Sequence, residues 1–384
     1  MAEWFDCTIG DLCDTISDTY KGNDNKVVLV NTSDVLEGKV LNHTPVENTN
    51  LKGQFKKTFR KNDILFSEIR PANKRFAFVD FEDTSNYIAS TKLMVLRNND
   101  KVIPEFLFAI LKSETVLTEL QHLAETRSGT FPQITFSSEL APMKIKIPDK
   151  PTQRKIVSML SSIEQKMESN IAINNNLEQQ ALALYQRLFA DDLSSNWGNG
   201  TLSDLADITM GQSPSGSSYN EDGIGTIFFQ GRAEFGARFP SIRLYTTEPK
   251  RMAYANDTLM SVRAPVGDLN VAHTNCCIGR GLAAIHSKTN HQSFVLYTMF
   301  SLKKQLDVFN GEGTVFGSIN KDSLSAMPII IPPSAIMDEF ESIVAPMDLM
   351  IRNNYDEICR LQSIRDGLIP RLLAGEIDIT DVVI

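Results

Sequence analysis

The chain repeats itself, and the repeat limits the folds open to it more than any other feature. Thr8-Ile9-Gly10-Asp11-Leu12 returns as Thr201-Leu202-Ser203-Asp204-Leu205. Lys61-Asn62-Asp63-Ile64-Leu65-Phe66-Ser67, followed by Pro71, returns as Ala255-Asn256-Asp257-Thr258-Leu259-Met260-Ser261, followed by Pro265. Gly129-Thr130-Phe131-Pro132-Gln133-Ile134 is echoed by Gly313-Thr314-Val315-Phe316-Gly317-Ser318-Ile319, and Met143-Lys144-Ile145-Lys146-Ile147-Pro148 by Met327-Pro328-Ile329-Ile330-Ile331-Pro332. The order is the same in both halves, at an offset of about 184–194 residues. Four pairs in order identify a tandem duplication, and 384 residues give each copy enough chain to bury its own core.

The stretch after each Ile-Pro differs in kind from the stretch before it. Thr152 to Ala190 contains no Pro or Gly, and Pro151 stands where a helix would start. Ile163, Met167, Asn170, Asn174, Leu177, Ala181, Leu184 and Leu188 keep an unbroken 4-3-4-3 spacing, the mark of a coiled-coil seam. Met347, Ile351, Asn354, Ile358, Leu361, Arg365, Leu368 and Leu372 repeat that spacing in the second half, with Arg365 as the break. Gly367 and Pro370 are expected to kink or end the second helix. A helix of nearly forty residues reaches roughly 55–60 Å at ~1.5 Å per residue. Asn at a seam costs stability and fixes register and partner number. The economical arrangement pairs the two helices antiparallel; the alternative packs each on its own domain.

The segments before the helices read as mixed α/β. Val27–Val30, Ile64–Ser67, Phe76–Phe81 and Leu93–Leu96 are β-rich runs. An amphipathic helix is predicted over Pro104–Leu120, matched by His291–Asp307, and Met210–Asp222 and Leu193–Asn199 read as a loop and a linker. The predicted architecture is α+β: tandem α/β domains at 1–150 and 193–333, separated by long helices at 151–192 and 334–384, the last including a C-terminal tail. The halves are related by a pseudo-two-fold, and the helices form an antiparallel coiled coil.

A net charge of −9 argues at first sight against a nucleic-acid partner. Its distribution reverses that reading. Residues 336–384 carry −6 of it, whereas residues 51–75 hold eight Lys/Arg against two acidic residues and 227–265 hold six against three. Basic stripes on near-neutral domains can meet phosphate without a basic total. Five cysteines, Cys7, Cys13, Cys276, Cys277 and Cys359, lack a Cys-x-x-Cys pair and read as reduced, buried thiols in a cytoplasmic protein. Neither a membrane span nor a signal peptide is predicted.

The succession of variable domain, long helix, variable domain, long helix resembles the DNA specificity subunit of type I restriction-modification systems, over essentially the whole chain. The resemblance is carried by the Ile-Pro turn with Gln153-Arg154-Lys155-Ile156-Val157, and by Gly211-Gln212-Ser213-Pro214-Ser215. It is carried further by Asn256-Asp257-Thr258-Leu259-Met260, Gly279-Arg280-Gly281-Leu282-Ala283-Ala284 and Leu368-Ile369-Pro370-Arg371-Leu372-Leu373-Ala374-Gly375-Glu376-Ile377. It implies two target recognition domains that each read half of a split double-stranded DNA target, with the helix pair as spacer. It also implies docking of two methyltransferase subunits, with restriction subunits joining. S-adenosylmethionine, ATP and Mg chemistry then belongs to the partners, and this chain needs no cofactor. Met337-Asp338-Glu339-Phe340 replaces Gln153-Arg154-Lys155-Ile156 in the second half, so the two docking surfaces are expected to differ.

Base edges are read by Arg, Lys, Asn and Gln, and phosphates by Lys, Arg, Ser and Thr. In the first domain Lys56, Lys57, Arg60, Lys61, Arg70, Asn73, Lys74 and Arg75 supply these groups, with Arg127 and Gln133 on a second loop. In the second domain the candidates are Gln212, Ser213, Ser215, Gln230, Arg232, Arg238, Arg243, Arg263 and Arg280. Catalysis finds no such supply. Phe309-Asn310-Gly311-Glu312-Gly313 matches a methyl-donor loop only in letters, since no helix start comes after it. There is no Asn-Pro-Pro-Tyr tetrad and no G-x-x-x-x-G-K-[ST] loop. His43, His122, His273, His286 and His291 are scattered without metal-ligand spacing. Two other readings stay open: a coiled-coil scaffold for proteins, and a specificity subunit of a related methyltransferase or defence system. Replacing Leu177 and Leu184 by Glu is predicted to part the helices and abolish DNA modification in cells carrying the partner subunits; normal modification would show that the seam has no part in function.

Overall fold

The repeated motifs become the same strands of the same sheet, twice. The computed structural model describes residues 3–49, 53–127, 130–191, 197–311, 317–377 and 379. In the first half Ile64–Ser67 is an inner strand of a four-stranded antiparallel sheet. Phe76–Phe78 lies on one side of it, and Leu93–Asn98 followed by Cys13–Ile16 on the other. In the second half Thr258–Ser261 takes that place, between Leu269–Val271 and Leu282–Ser287, with Ala206–Met210 beyond. All four residues of Ile64–Ser67 and of Thr258–Ser261 are buried, so these strands read as continuous rather than alternating runs.

A second sheet in each half contains one parallel pair, Tyr87–Ser90 on Lys26–Val30 and Cys276–Ile278 on Thr226–Phe229. The opening strand of each half pairs with the strand that carries the Ile-Pro signal. Trp4–Thr8 lies on Lys144–Pro148, and Gly198–Thr201 on Pro328–Ile331. The Thr-x-x-Asp repeat is a capping box in both copies, Thr8 with Asp11 and Thr201 with Asp204.

The Asn-Asp repeat sets the start of the inner strand. Asn62 and Asn256 sit at φ 70° and 75°, a region Asn tolerates, and turn the chain so that the next carboxylate points inward. Asp63 is buried, accepts the Arg60 amide at 2.8 Å and takes both arms of Arg97 at 2.7 Å. Asp257 is likewise buried, accepts the Tyr254 amide at 2.7 Å and meets His286 Nδ1 at 2.5 Å.

The helix predicted over Pro104–Leu120 is two helices, Pro104–Leu111 and Glu114–Arg127. Ser113 breaks it by hydrogen-bonding its hydroxyl to the Ile110 carbonyl at 2.7 Å. Its counterpart is also split, into Gln292–Ser301 and Lys303–Asp307. The strand predicted over Phe76–Phe81 stops at Phe78. Met210–Asp222 is a loop only in part, since Tyr219–Asn220 pairs with Leu244–Thr246. Of the predicted linker, residues 193–196 lie outside the described residues, as do Gly129 and the segment 313–316 of the repeated Gly-Thr motif.

The first long helix spans Lys150–Gln186 and the second Ser334–Leu373. The second runs through Gly367 and Pro370 rather than ending there. A Cβ on Gly367 would meet nothing within 4 Å. The chain divides into two compact units, Met1–Glu168 with Cys359–Ile384, and Ser169–Ile358, so each unit takes a piece of both helices. Every predicted seam position is buried or half-buried, while Ile171, Ile173, Leu349, Met350 and Ile364 between them are exposed. Within the second unit the helix pieces run antiparallel. Asn170 Nδ2 donates to Glu357 at 2.8 Å, Asn174 Nδ2 to the Ile351 carbonyl at 3.3 Å, and Asn354 Nδ2 to Asn174 Oδ1 at 2.8 Å.

Beyond Ala181 the most buried line leaves the seam. Tyr185 and Phe189 turn into the second domain's core while Leu184 and Leu188 stay half-buried. The Ile-Pro turns end in core residues too. Gln153 and Ile156 are buried, as are Met337 and Phe340 at the matching positions, so half of each expected docking motif faces inward. Gln153 accepts the Ile103 amide at 2.9 Å and donates to the Pro148 carbonyl at 2.8 Å.

Phe340 is fully buried among the rings of Tyr185, Phe189, Phe294 and Tyr297, with centroids 5.4 to 6.2 Å away. Phe340→Ala should cost about 3–5 kcal/mol, read as a lowered denaturation midpoint. A loss under 1 kcal/mol would show that helix and domain do not share this core.

Candidate nucleic-acid interface

The register of each four-stranded sheet gathers three loops at one end. Ser67 pairs with Leu93 and Ile16 with Val95, so the loops after Ser67, after Ile16 and before Leu93 leave together. Ser261 pairs with Leu282 and Met210 with Ala283, which places three loops the same way in the second half. A fourth segment joins each group: Ile69 bridges Gln133, and Arg263 bridges Ser318.

In the second domain this end collects most of the predicted residues. The Gly211 amide donates to the Leu282 carbonyl, the Gln212 amide to Ile278, the Gly279 amide to Phe229 and the Val262 amide to Gly281, each at 2.8–2.9 Å. Gln212, Gln230, Arg263 and Arg280 are thereby brought together with exposed side chains, and Ser213 Oγ accepts the Arg280 amide at 3.2 Å. The glycines permit the approach. A Cβ on Gly211 would lie 2.1 Å from the Gly279 carbonyl oxygen, and one on Gly279 would lie 2.7 Å from that of Gln230. Ser215 is exposed on the adjoining loop, bonded to Ser217 Oγ at 2.8 Å.

Arg232 pairs with Asp268, which also takes Lys303 Nζ at 3.2 Å. Burial alone would raise the Asp268 carboxyl, but the hydrogen bonds from Arg232 and Lys303 outweigh it and hold the group below the usual carboxylate range. Lys303 is not evident from sequence, because it lies on a helix far along the chain. Arg243 pairs with buried Glu234 at 3.2 Å and with Glu221 at 3.6 Å.

Arg238 has to be withdrawn from this surface. Its side chain is only 11% exposed, held by Glu178 at 2.8 Å and Asp348 at 2.5 Å.

In the first domain the same end holds Arg70, Asn73, Lys74 and Gln133. Arg70 and Lys74 are in the left-handed region, at φ 46° and 53°, on either side of the turn Pro71–Asn73. Arg70 and Asn73 are exposed, and Lys74 lies 3.6 Å from Glu114. Gln133 donates to Glu68 at 2.8 Å, and Lys92 lies 3.6 Å from the same carboxylate. Lys92 escapes sequence reasoning because its stretch reads as strand. Arg127 is exposed and reaches Glu139 at 3.1 Å.

Other predicted residues have different tasks. Lys57 Nζ donates to the carbonyls of Thr91 and Leu93 at 3.1 and 2.7 Å, and burial lowers its pKa, whereas its neighbour Lys56 is exposed. Arg75 donates to the Ser33 and Val35 carbonyls at 3.0 and 3.4 Å. Arg60 is exposed but precedes Ile64–Ser67, at the opposite end from the loops, as does Lys61, paired with Glu82 at 2.5 Å.

The thiols offer little chemistry. Cys13 and Cys276 are pushed up to about 12 by burial. The expectation of buried thiols fails for Cys359, which is exposed, and for Cys7, which is half-buried. Among the described residues no group of three or more His, Cys, Asp or Glu could hold a metal ion, and no helix is long and apolar enough to cross a membrane. Asn310 of the methyl-donor look-alike instead braces the loop after Arg263, its Oδ1 accepting the Val266 amide at 2.5 Å.

A duplicated α+β sheet with an exposed cationic and amide-rich loop cluster in each copy is an arrangement suited to reading nucleic acid. The family model of the type I restriction modification DNA specificity domain matches residues 1–179 and 194–351, and the chain belongs to that family. It is 30% identical to the type I restriction enzyme HindI specificity subunit of Haemophilus influenzae, over 98% of this chain and all of that one. A chain in a solved structure on complex assembly and conformational transition of the type I R-M system is 27% identical, with a TM-score of 0.50 over 98% of this chain and 100% of that chain. The crystal structure of the type I restriction-modification S subunit from M. genitalium shares the fold at a TM-score of 0.61 and 16% identity, covering 97% of this chain and 96% of that one.

Each exposed cation that neutralises one phosphate contributes about one unit to the log–log salt dependence of binding. Arg70→Ala and Arg280→Ala should each reduce that slope by ~1 in a DNA titration across salt concentrations. Unchanged slopes for both would place the interface elsewhere.

Proposed function

We propose that this chain is the DNA-sequence-reading subunit of a type I restriction-modification complex and performs no catalytic step itself. The observation that carries this reading is the twin loop cluster. The same end of the same sheet, in both halves, presents Arg, Lys, Gln, Asn and Ser side chains suited to base edges and phosphates. The clusters differ in composition, Arg70-Asn73-Gln133 against Gln212-Gln230-Arg263-Arg280, so the double-stranded target is bipartite and asymmetric.

In this reading residues 1–150 and 193–333 are the two target recognition domains. Residues 151–192 and 334–384 pair as an antiparallel coiled coil that spaces them. The partial or full burial of the seam positions and the Asn174–Asn354 contact support the pairing. Two methyltransferase subunits dock on the chain and restriction subunits join them in the cytoplasm, bringing the S-adenosylmethionine, ATP and Mg chemistry with them.

The test is a base-resolution methylome of cells expressing the chain with its neighbouring methyltransferase subunit, against cells lacking only this chain. Adenine methylation at one bipartite asymmetric motif should vanish with the chain. An unchanged methylome would favour a scaffold that binds protein, and a palindromic motif would defeat the asymmetric reading.

A further inference from the structure

The two halves are held to the long helices in different ways. The edge strands Phe76–Phe78 and Leu269–Val271 occupy the same place in their sheets, and each is met by a crossing segment through the same bond. The Phe78 amide donates to the Gly38 carbonyl at 3.0 Å, and the Val271 amide to the Arg238 carbonyl at 2.9 Å. Gly38 and Arg238 are therefore structural counterparts, one without a side chain and the other with the longest cation available.

Arg238 uses that length to bind both helices at once. One guanidinium nitrogen meets Glu178 of the first helix at 2.8 Å, and the other meets Asp348 of the second at 2.5 Å. Its carbon lies 5.9 Å from the Tyr297 ring centroid, and the Tyr297 hydroxyl donates to the same Asp348 oxygen at 3.2 Å. The planar fork of Arg suits two carboxylates on two separate elements, and Lys does not. A second arginine returns the contact. Arg352 of the second helix donates to the His273 carbonyl and to Asn256 Oδ1, and lies 5.5 Å from the Phe239 ring centroid. His273 Nε2 meets Asp356 at 2.7 Å.

In the first half two single ion pairs reach the first helix. Lys39 meets Glu168 with both side chains more than half exposed, and Lys112 meets Glu164 at 2.5 Å as a half-buried pair that engages one helix only. Exposed pairs contribute little and yield readily, whereas breaking a buried pair leaves an uncompensated charge.

We propose that Arg238 is a positioning residue: by tying the second recognition domain to both long helices, it makes the spacing between the two DNA half-sites stringent. The inference rests on the DNA-reading function of the chain. Arg238 leaves the reading of bases to the loop cluster and fixes where that cluster stands. Its route to the cluster is short, since Val271 lies three residues after Asp268, the partner of Arg232.

The test uses the full complex with its methyltransferase subunits on duplexes carrying both half-sites at the natural spacing and at one base pair more or less. Arg238→Met is expected to reduce the rate ratio between natural and shifted duplexes by about tenfold, because small displacements of a bound group change reaction rates strongly. Half-site preference should stay the same. Arg238→Lys, reaching one carboxylate, should fall between, and Lys39→Ala should leave the ratio unchanged. Should Arg238→Met not fold, the neutral set Arg238→Met, Glu178→Gln, Asp348→Asn removes the stranded charges and must show the same relaxation. An unchanged ratio, or an equal loss on all duplexes in a folded variant, would overturn the proposal. A wild-type complex that methylates no bipartite duplex would sink the DNA-reading function itself, and this inference with it.

Discussion

A buried carboxylate at the start of the inner strand holds each sheet in register. Asp63 is 1% exposed and Asp257 2%, and polar groups buried that deeply need hydrogen-bond partners. Both take a backbone amide from their own turn and a cationic or imidazole nitrogen from the neighbouring strand, Arg97 in one half and His286 in the other. That contact fixes which residues of the paired strands face each other at one end. The loops at the other end are set by it in turn, because antiparallel pairing allows no independent choice once the first pair is made. The partners differ in chemistry, yet the role is the same. Duplication has preserved the geometry of the turn and relaxed the identity of the group that answers it.

The two loop clusters show the same economy. Their backbones are held by equivalent bridges, Ile69 to Gln133 and Arg263 to Ser318, while the side chains at those equivalent positions differ. A scaffold of this kind separates the part that must fold from the part that can vary. The second domain carries the separation furthest, using Gly211 and Gly279 to bring backbones closer than any side chain would allow.

Much of this is legible from residues alone, and the failures have physical causes. The repeat exposes the paired sheets because turn residues such as Asn62 and Asn256 answer to backbone geometry, which duplication keeps. The shielded line along each long helix is legible because heptad spacing is local. Arg238 misleads because charge invites a surface assignment, and the carboxylates that bury it lie 60 and 110 residues away. Lys57 and Arg75 mislead likewise, since the carbonyls they satisfy belong to strands whose pairing no local pattern reveals. The break at Ser113 escapes notice because a hydroxyl that caps the preceding turn resembles any other serine in an amphipathic run. Convergence at Gly279 can be suspected from its Gly-Arg-Gly setting, but the partners of that approach cannot.

The first core is completed by residues made long after the rest of it. Ile9, Leu12, Phe106 and Leu120 are packed with Leu372 and Ile379, and Leu368, Ile369 and Ile377 lie against the same cluster. During synthesis the first domain therefore leaves the ribosome with one wall missing and must wait for the whole second domain to be translated. At about 5–20 residues per second that interval lasts on the order of ten seconds or more. Through it an apolar face stands open to chaperones, or to the corresponding helix of another nascent chain. The order of translation thus becomes part of how this protein is assembled.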